Sequence, residues 1–182
     1  MIYTTVTTHQ ELEQIHALNK ANVKQNFTAD QMQQNGFLTW LYSLELLQQL
    51  HQLAPSVIAK DGDVVAGYAL VTPREAAAFH ADLQLMISHT DDMVYNGKPL
   101  KAYDYYIMGG ICVHADYRGQ GLVNGLYLHH KTVYSPRYFP LVTEISTSNT
   151  RSQAAHEKVG FRTIHTYNDG VDDWNVVVWD WA

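Results

Sequence analysis

The apolar, strand-like run Tyr105–Val113 ends in a short polar turn, and Arg118-Gly119-Gln120-Gly121 follows at once. From Gly121 to Tyr134 the period changes, with Leu122, Leu126 and Val133 on or near one helical face. A second strand pattern, YFPLVTEIST, comes next. Strand, glycine-rich turn, helix and strand in that order make a crossover, which places parallel strands in one sheet.

The flanking segments add hairpins to this crossover. MIYTTVTT reads as a first strand, and Thr8 with Glu11 has the spacing of a capping box ahead of Leu12, Ile15 and Leu18. A helix is predicted across Leu38–Leu53, and a hairpin turns at Asp61-Gly62. An alanine-rich helical stretch follows Pro73, Asn149–Val159 is a helix stopped by Gly160, and FRTIHTY and WNVVVWDW are two closing strands. The expected class is α/β with a mixed sheet of about seven strands and helices on both faces. With 182 residues and no linker or repeat, residues 1–182 are expected to form one domain.

Composition narrows the function. A formal net charge of −6 disfavours nucleic acid as a partner. No apolar run reaches the roughly 20 residues that span a bilayer. The N-terminus lacks the order of a signal peptide, so a cytoplasmic protein without membrane attachment is expected. The single cysteine, Cys112, excludes an intrachain disulfide, and the ten histidines show no metal-ligand spacing, so no metal is expected.

Three readings compete for the glycine loop. A Walker loop fails because no Gly-Lys-Ser/Thr follows. A dinucleotide fingerprint begins with Gly119-x-Gly121, but its third glycine falls one position late, at Gly125. The third reading rests on two motifs. Arg118-Gly119-Gln120-Gly121-Leu122-Val123 resembles the pyrophosphate motif of the GNAT acyltransferase superfamily, with Val123 in place of its final small residue. Asn149–Phe161 resembles the second motif of that family through Asn149, Lys158, Gly160 and Phe161, with Ser152 in place of alanine and His156 in place of tyrosine. The element order matches as well, so the resemblance covers essentially the whole chain.

The physical content of the first motif is a helix N-terminus. Its leading N–H groups have no intrahelical partner and its dipole favours an anion. Glycines there let the main chain approach an oxygen.

The resemblance implies a GNAT-like fold that binds acetyl-CoA or another acyl-CoA and transfers the acyl group directly to an amine. It implies a ternary complex and a tetrahedral intermediate, without a metal. Arg118, Gly119, Gln120, Gly121, Leu122 and Val123 would cradle the pyrophosphate, with Asn149 and Ser152 on the second motif. Ile111, Cys112 and Val113 would offer main-chain groups to the pantetheine arm, as an added strand does. His156 would protonate the departing sulfur, and Glu144, a carboxylate within a strand, would serve as base.

For the acceptor, Tyr105 and Tyr106 with the segment Pro73–Tyr103 are expected to meet a small-molecule or peptide amine. Trp179 and Trp181 share a strand face suited to core or homodimer contact. Two other classes stay open. One is a non-catalytic acyl-CoA-binding or sensing module on the same fold, consistent with Val123 and His156. The other is a nicotinamide-dependent reductase, consistent with Gly119-x-Gly121.

Overall fold

A computed structural model describes residues 1–181. Strand β1 (Ile2–Thr5) leads into helix α1 (His9–Ala21) through the predicted capping box. The Glu11 carboxylate accepts from the N–H groups of Thr7 and Thr8 at 2.7 and 3.1 Å, and from Lys60 Nζ at 2.6 Å. Burial works against the Glu11 charge, but Lys60 and the two backbone donors outweigh it and hold the carboxyl at about 2.

A short helix, α2 (Ala29–Asn35), was not expected from the sequence. The helix predicted across Leu38–Leu53 begins later, as α3 (Leu44–Leu53), behind Ser43, whose hydroxyl accepts from Leu46 N at 3.2 Å. Asn19 keeps the preceding residues out of the helix. Its amide donates to Trp40 O and accepts from Tyr42 N, a tertiary pairing that overrides the local periodicity.

The predicted hairpin is β2 (Val57–Asp61) and β3 (Val64–Ala69), with Gly62 at φ +57° in its turn. After β4 (Thr72–Pro73) the alanine-rich stretch divides into a 3₁₀ turn (Arg74–Ala78) and α4 (Ala81–Asp91). A small hairpin, β5 (Val94–Tyr95) with β6 (Lys98–Pro99), precedes β7 (Tyr106–Ile107) and β8 (Ile111–Val113). The chain ends with α5 (Leu122–Tyr134), β9 (Leu141–Ser146), α6 (Thr150–Val159), β10 (Arg162–Asn168) and β11 (Asp173–Trp179).

The single strand predicted over Tyr105–Val113 is broken at Gly109-Gly110, and the break divides the main sheet. One half runs β1-β2-β3-β8 and the other β10-β11-β9-β7-β4. β7 lies parallel to β9, with Tyr106 opposite Leu141 and Ile107 opposite Val142, while β8 turns away to pair antiparallel with β3. Gly109 permits the break. A Cβ there would lie 2.5 Å from Tyr42 Oη and 2.7 Å from Thr72 Oγ1, and Tyr42 Oη donates to Gly109 O at 2.8 Å. The close neighbour that the glycine admits is therefore the fold itself. Thr143 Oγ1 donates to Met108 O at 2.8 Å at the point where the two paths part.

Two apolar layers cover the two faces. Leu12, Ile15, Leu46 and Leu50 of α1 and α3 pack with Ile58 and Tyr68 on one side. Leu122, Leu126 and Tyr127 of α5 pack with Val57, Ala59 and Ala66 on the other. Gly125 is what lets α5 lie so close, because a Cβ there would fall 2.1 Å from the Tyr3 ring. This glycine, out of place for a dinucleotide fingerprint, serves helix–strand packing. Trp179 and Trp181 join the same layer, with ring centroids 4.9 Å apart. Among the described residues no helix is long and apolar enough to cross a membrane.

Candidate active site

Beside the parted strands lies a cavity of about 780 Å³, bordered by β8, the glycine loop, the start of α5 and one face of α6. Strand β8 presents main-chain groups to it. The bonds from His114 N to Ala66 O and from Leu70 N to Gly110 O fix the alternation, so Cys112 pairs with Tyr68 across the ladder. Ile111 and Val113 therefore direct their N–H and C=O groups the other way, toward the cleft. Cys112 borders the cavity but keeps its main chain in the sheet, which corrects its expected place among the pantetheine contacts. Burial pushes its thiol up to about 12, so it packs as a small apolar group.

The loop has the conformation that its glycines allow. Gly119 and Gly121 sit at φ +76° and +80°, and a Cβ on either would meet nothing within 4 Å. Gly121 is the N-cap of α5 in a left-handed conformation, and no side chain caps the helix. The first-turn residues Leu122, Val123 and Asn124 border the cavity with a helix start that lacks its own acceptor. Bare αL glycines, an uncapped helix N-terminus and the cations Arg151 and Lys158 around one cleft fit a pyrophosphate with a long tether, the anatomy of coenzyme A.

Two expected loop contacts are corrected by the geometry. Arg118 turns its guanidinium away from the loop, donating to Asn22 Oδ1 at 2.7 Å, Asn35 Oδ1 at 2.8 Å and Val113 O at 3.3 Å. It clamps the end of α2 to β8. Gln120 stays exposed, bonds back to Asp116 O at 3.2 Å and lies outside the cavity lining. Asn149 borders the cavity, but its amide is spent on architecture. It accepts from Ser152 N at the start of α6 and donates to Phe37 O at 2.8 Å. The segment Asn35–Leu38 is thus tied to both walls, by Arg118 on one side and Asn149 on the other.

A smaller cavity of about 70 Å³ opens on the other side of that segment and shares Phe37, Leu38, Ile111, Asn149, Ser152 and His156 with the first. Glu144 of β9 lines it. Tyr167 Oη donates to Glu144 Oε2 at 3.0 Å, while Oε1 is buried without a partner. Burial, opposed by the Tyr167 bond and reinforced by Asp169, pushes this carboxyl up to about 7.

His156 stands at the junction of the cavities but faces inward. Its Nδ1 lies 2.7 Å from Ser152 O, so Nδ1–H donates there and Nε2 accepts from Tyr127 Oη at 2.6 Å. Burial, only partly offset by the Ser152 carbonyl, pulls the ring down to about 4. The expected delivery of a proton from His156 to sulfur is corrected on this point. The ring is neutral and its N–H is committed to the helix backbone. The Ser152 hydroxyl, 3.4 Å from Nδ1, is the nearby polar hydrogen bordering both cavities.

Tyr105 and Tyr106 do not line either cavity, which corrects their expected contact with substrate. Strand alternation puts them on opposite faces, each roofed by a helix. Tyr105 Oη donates to Asp91 Oδ1 at 2.8 Å under α4, and Tyr106 Oη bonds His130 Nδ1 at 2.9 Å under α5. Aromatic residues from elsewhere take their place, Phe37, Trp40, Tyr42 and Trp174. No motif marks these residues. Their convergence depends on the unpredicted extended segment after α2.

Comparison with known proteins agrees with this architecture. The chain matches the model of the Acetyltransferase (GNAT) family over residues 25–161, and it belongs to that family. Comparison with curated proteins gives no match. Among solved structures, it resembles the ribosomal-protein-S18-alanine N-acetyltransferase from Escherichia coli at 15% identity and a TM-score of 0.63, covering 98% of this chain and 92% of that one. It also resembles YncA, a putative acetyltransferase from Salmonella typhimurium with its cofactor acetyl-CoA, at 15% identity and a TM-score of 0.64, with 100% and 94% covered. NAA60 of Arabidopsis thaliana in complex with acetyl-CoA aligns at 13% identity and a TM-score of 0.63, with 98% of each chain covered. At these identities the likeness speaks for the fold.

Proposed function

We propose that the protein transfers an acetyl or other acyl group from acyl-CoA directly to a primary amine, with Glu144 as general base. The observation that carries this reading is the unpartnered Glu144 Oε1, buried at the acceptor cavity and tuned to about 7. A lysine-like amine has a pKa near 10.4, so only about one molecule in 10³ is free base at neutral pH. A carboxylate whose own pKa lies near the working pH is suited to draw off that proton, directly or through one water.

The first-turn N–H groups of α5 would hold the pyrophosphate, Arg151 and Lys158 would add charge, and Ile111 and Val113 would bond the tether. When bound, acyl-CoA supplies an activated thioester at the junction of the two cavities. The Ser152 hydroxyl would donate to the departing thiolate, whose conjugate acid has a pKa near 8.5 on the cysteine scale and needs little help. His156 is a positioning residue in this scheme, its Nδ1–H fixing Ser152.

The test is an amine panel with acetyl-CoA as donor, read by released thiol. Thiol release with an acylated product, reduced strongly in Glu144→Gln, supports the proposal. Tight CoA binding with no thiol release across the panel would overturn it in favour of a binding module.

A further inference from the structure

Resting on that reading, the acceptor cavity assigns a substrate class. We infer that the acceptor is a primary amine on an unbranched methylene arm, with no carboxylate or phosphate close to the nitrogen. Three observations converge on this chemistry.

The first is charge. Among the described residues, no lysine or arginine lines the acceptor cavity, and the one carboxylate that does is Glu144. Asp169 lies close enough to raise Glu144 further, and Trp174 Nε1 donates to Asp169 Oδ2 at 2.8 Å, which places this second carboxylate beside a cavity-lining ring. The nearby Lys24 is already paired with Asp172 at 3.3 Å. An α-carboxylate carried in by the acceptor would lose its water, find no cation and face two anions. An ammonium gains from the same surroundings.

The second is the aromatic wall. Trp40 and Trp174 are half-buried and both line the cavity, and Trp40 packs against Tyr42 with ring centroids 4.5 Å apart and planes tilted by 39°. Indole faces attract a cation and cover a methylene chain, without supplying a donor for an anionic group.

The third is room. The cavity holds about 70 Å³, a narrow recess beside the roughly 780 Å³ cleft that it joins. A narrow recess favours a slender aminomethyl end over a carbon that also bears a carboxyl and a side chain. The class therefore covers alkylamines, diamines, arylethylamines and a lysine side chain, and it leaves out free α-amino acids and branched peptide N-termini.

Matched pairs test the inference. Tryptamine against tryptophan, and 2-phenylethylamine against phenylalanine, differ by one carboxylate on the carbon that bears the nitrogen. A lysine-containing peptide acetylated at its N-terminus against the same length of peptide with a free N-terminal alanine separates the side-chain amine from the branched α-amine. Binding is followed by calorimetry in the presence of saturating CoA, and turnover by thiol release. We expect the amines without carboxylate to bind at least about 100-fold more tightly than their amino-acid partners, the scale set by an uncompensated buried charge. Thr39→Lys, which puts a cation into the lining, should narrow that gap at least tenfold. Equal or reversed binding within the pairs would overturn the inference. A retained binding preference with no thiol release would leave the substrate class standing and count against acyl transfer alone.

Discussion

Tyr167 Oη holds one oxygen of Glu144 at 3.0 Å, and the other is buried without a partner beside the smaller cavity. This arrangement orients the carboxylate without quenching it, since a second donor would favour the charged form and pull its pKa back toward the ordinary 4.5. In activity, kcat/KM should climb with pH and level off above about 7, because the base works deprotonated. Glu144→Gln should lose that limb and lower kcat/KM by about 10² to 10⁴-fold, measured as a pH profile of thiol release.

The same residue should carry a stability cost. Its folded-state pKa of about 7 lies above the ordinary 4.5, so folding takes up a proton between these values and stability falls as pH rises through about 7. Glu144→Gln should therefore be the more stable protein at pH 8, by up to about 3 kcal/mol, and nearly equal at pH 4. Denaturant melts at the two pH values check the sign.

His156 has the opposite linkage. Its folded-state pKa of about 4 lies below the ordinary 6.5, so its contribution is present above 6.5 and disappears as pH falls through about 4. Its ring resonances should not titrate between pH 5 and 8. Tyr127→Phe removes the donor to Nε2 and should lower stability by roughly 1 to 3 kcal/mol. Histidine NMR and thermal melts read both effects.

Gly121→Val separates ligand binding from folding. At φ +80°, with no protein atom near the added Cβ, the substitution costs folding only backbone strain, about 1 to 2 kcal/mol. The branched side chain would crowd the helix start, so CoA affinity by calorimetry should drop at least about tenfold, with a folded protein as the control.

Gly125→Ala should destabilise by about 1 to 3 kcal/mol, because its methyl group enters the Tyr3 ring at 2.1 Å. Adding Tyr3→Ser should restore much of that loss. Additive rather than compensating losses in the double-mutant cycle would contradict the packing described here.

The residues whose meaning was legible in the sequence share one property: their role is set by neighbours close in the chain. Thr8 and Glu11 lie three apart across a helix start, and Gly119 and Gly121 lie at a strand-to-helix turn. Glu144 could be picked out as a mid-strand carboxylate, although its bare oxygen could not. What stayed hidden depends on distant partners. Asn19 unwinds the expected helix start at Trp40 and Tyr42, and Tyr127 takes up His156 Nε2 from another helix. Tyr105 and Tyr106 looked available because periodicity says which face a strand residue takes, and not that α4 and α5 cover both faces.

The segment Asn35–Leu38, anchored on one flank to Arg118 and on the other to Asn149, stands like a mullion between two windows that open onto a common sill at Ser152 and His156. On the proposed reading, the nucleotide and the amine would lie to either side of this bar and meet only at the sill.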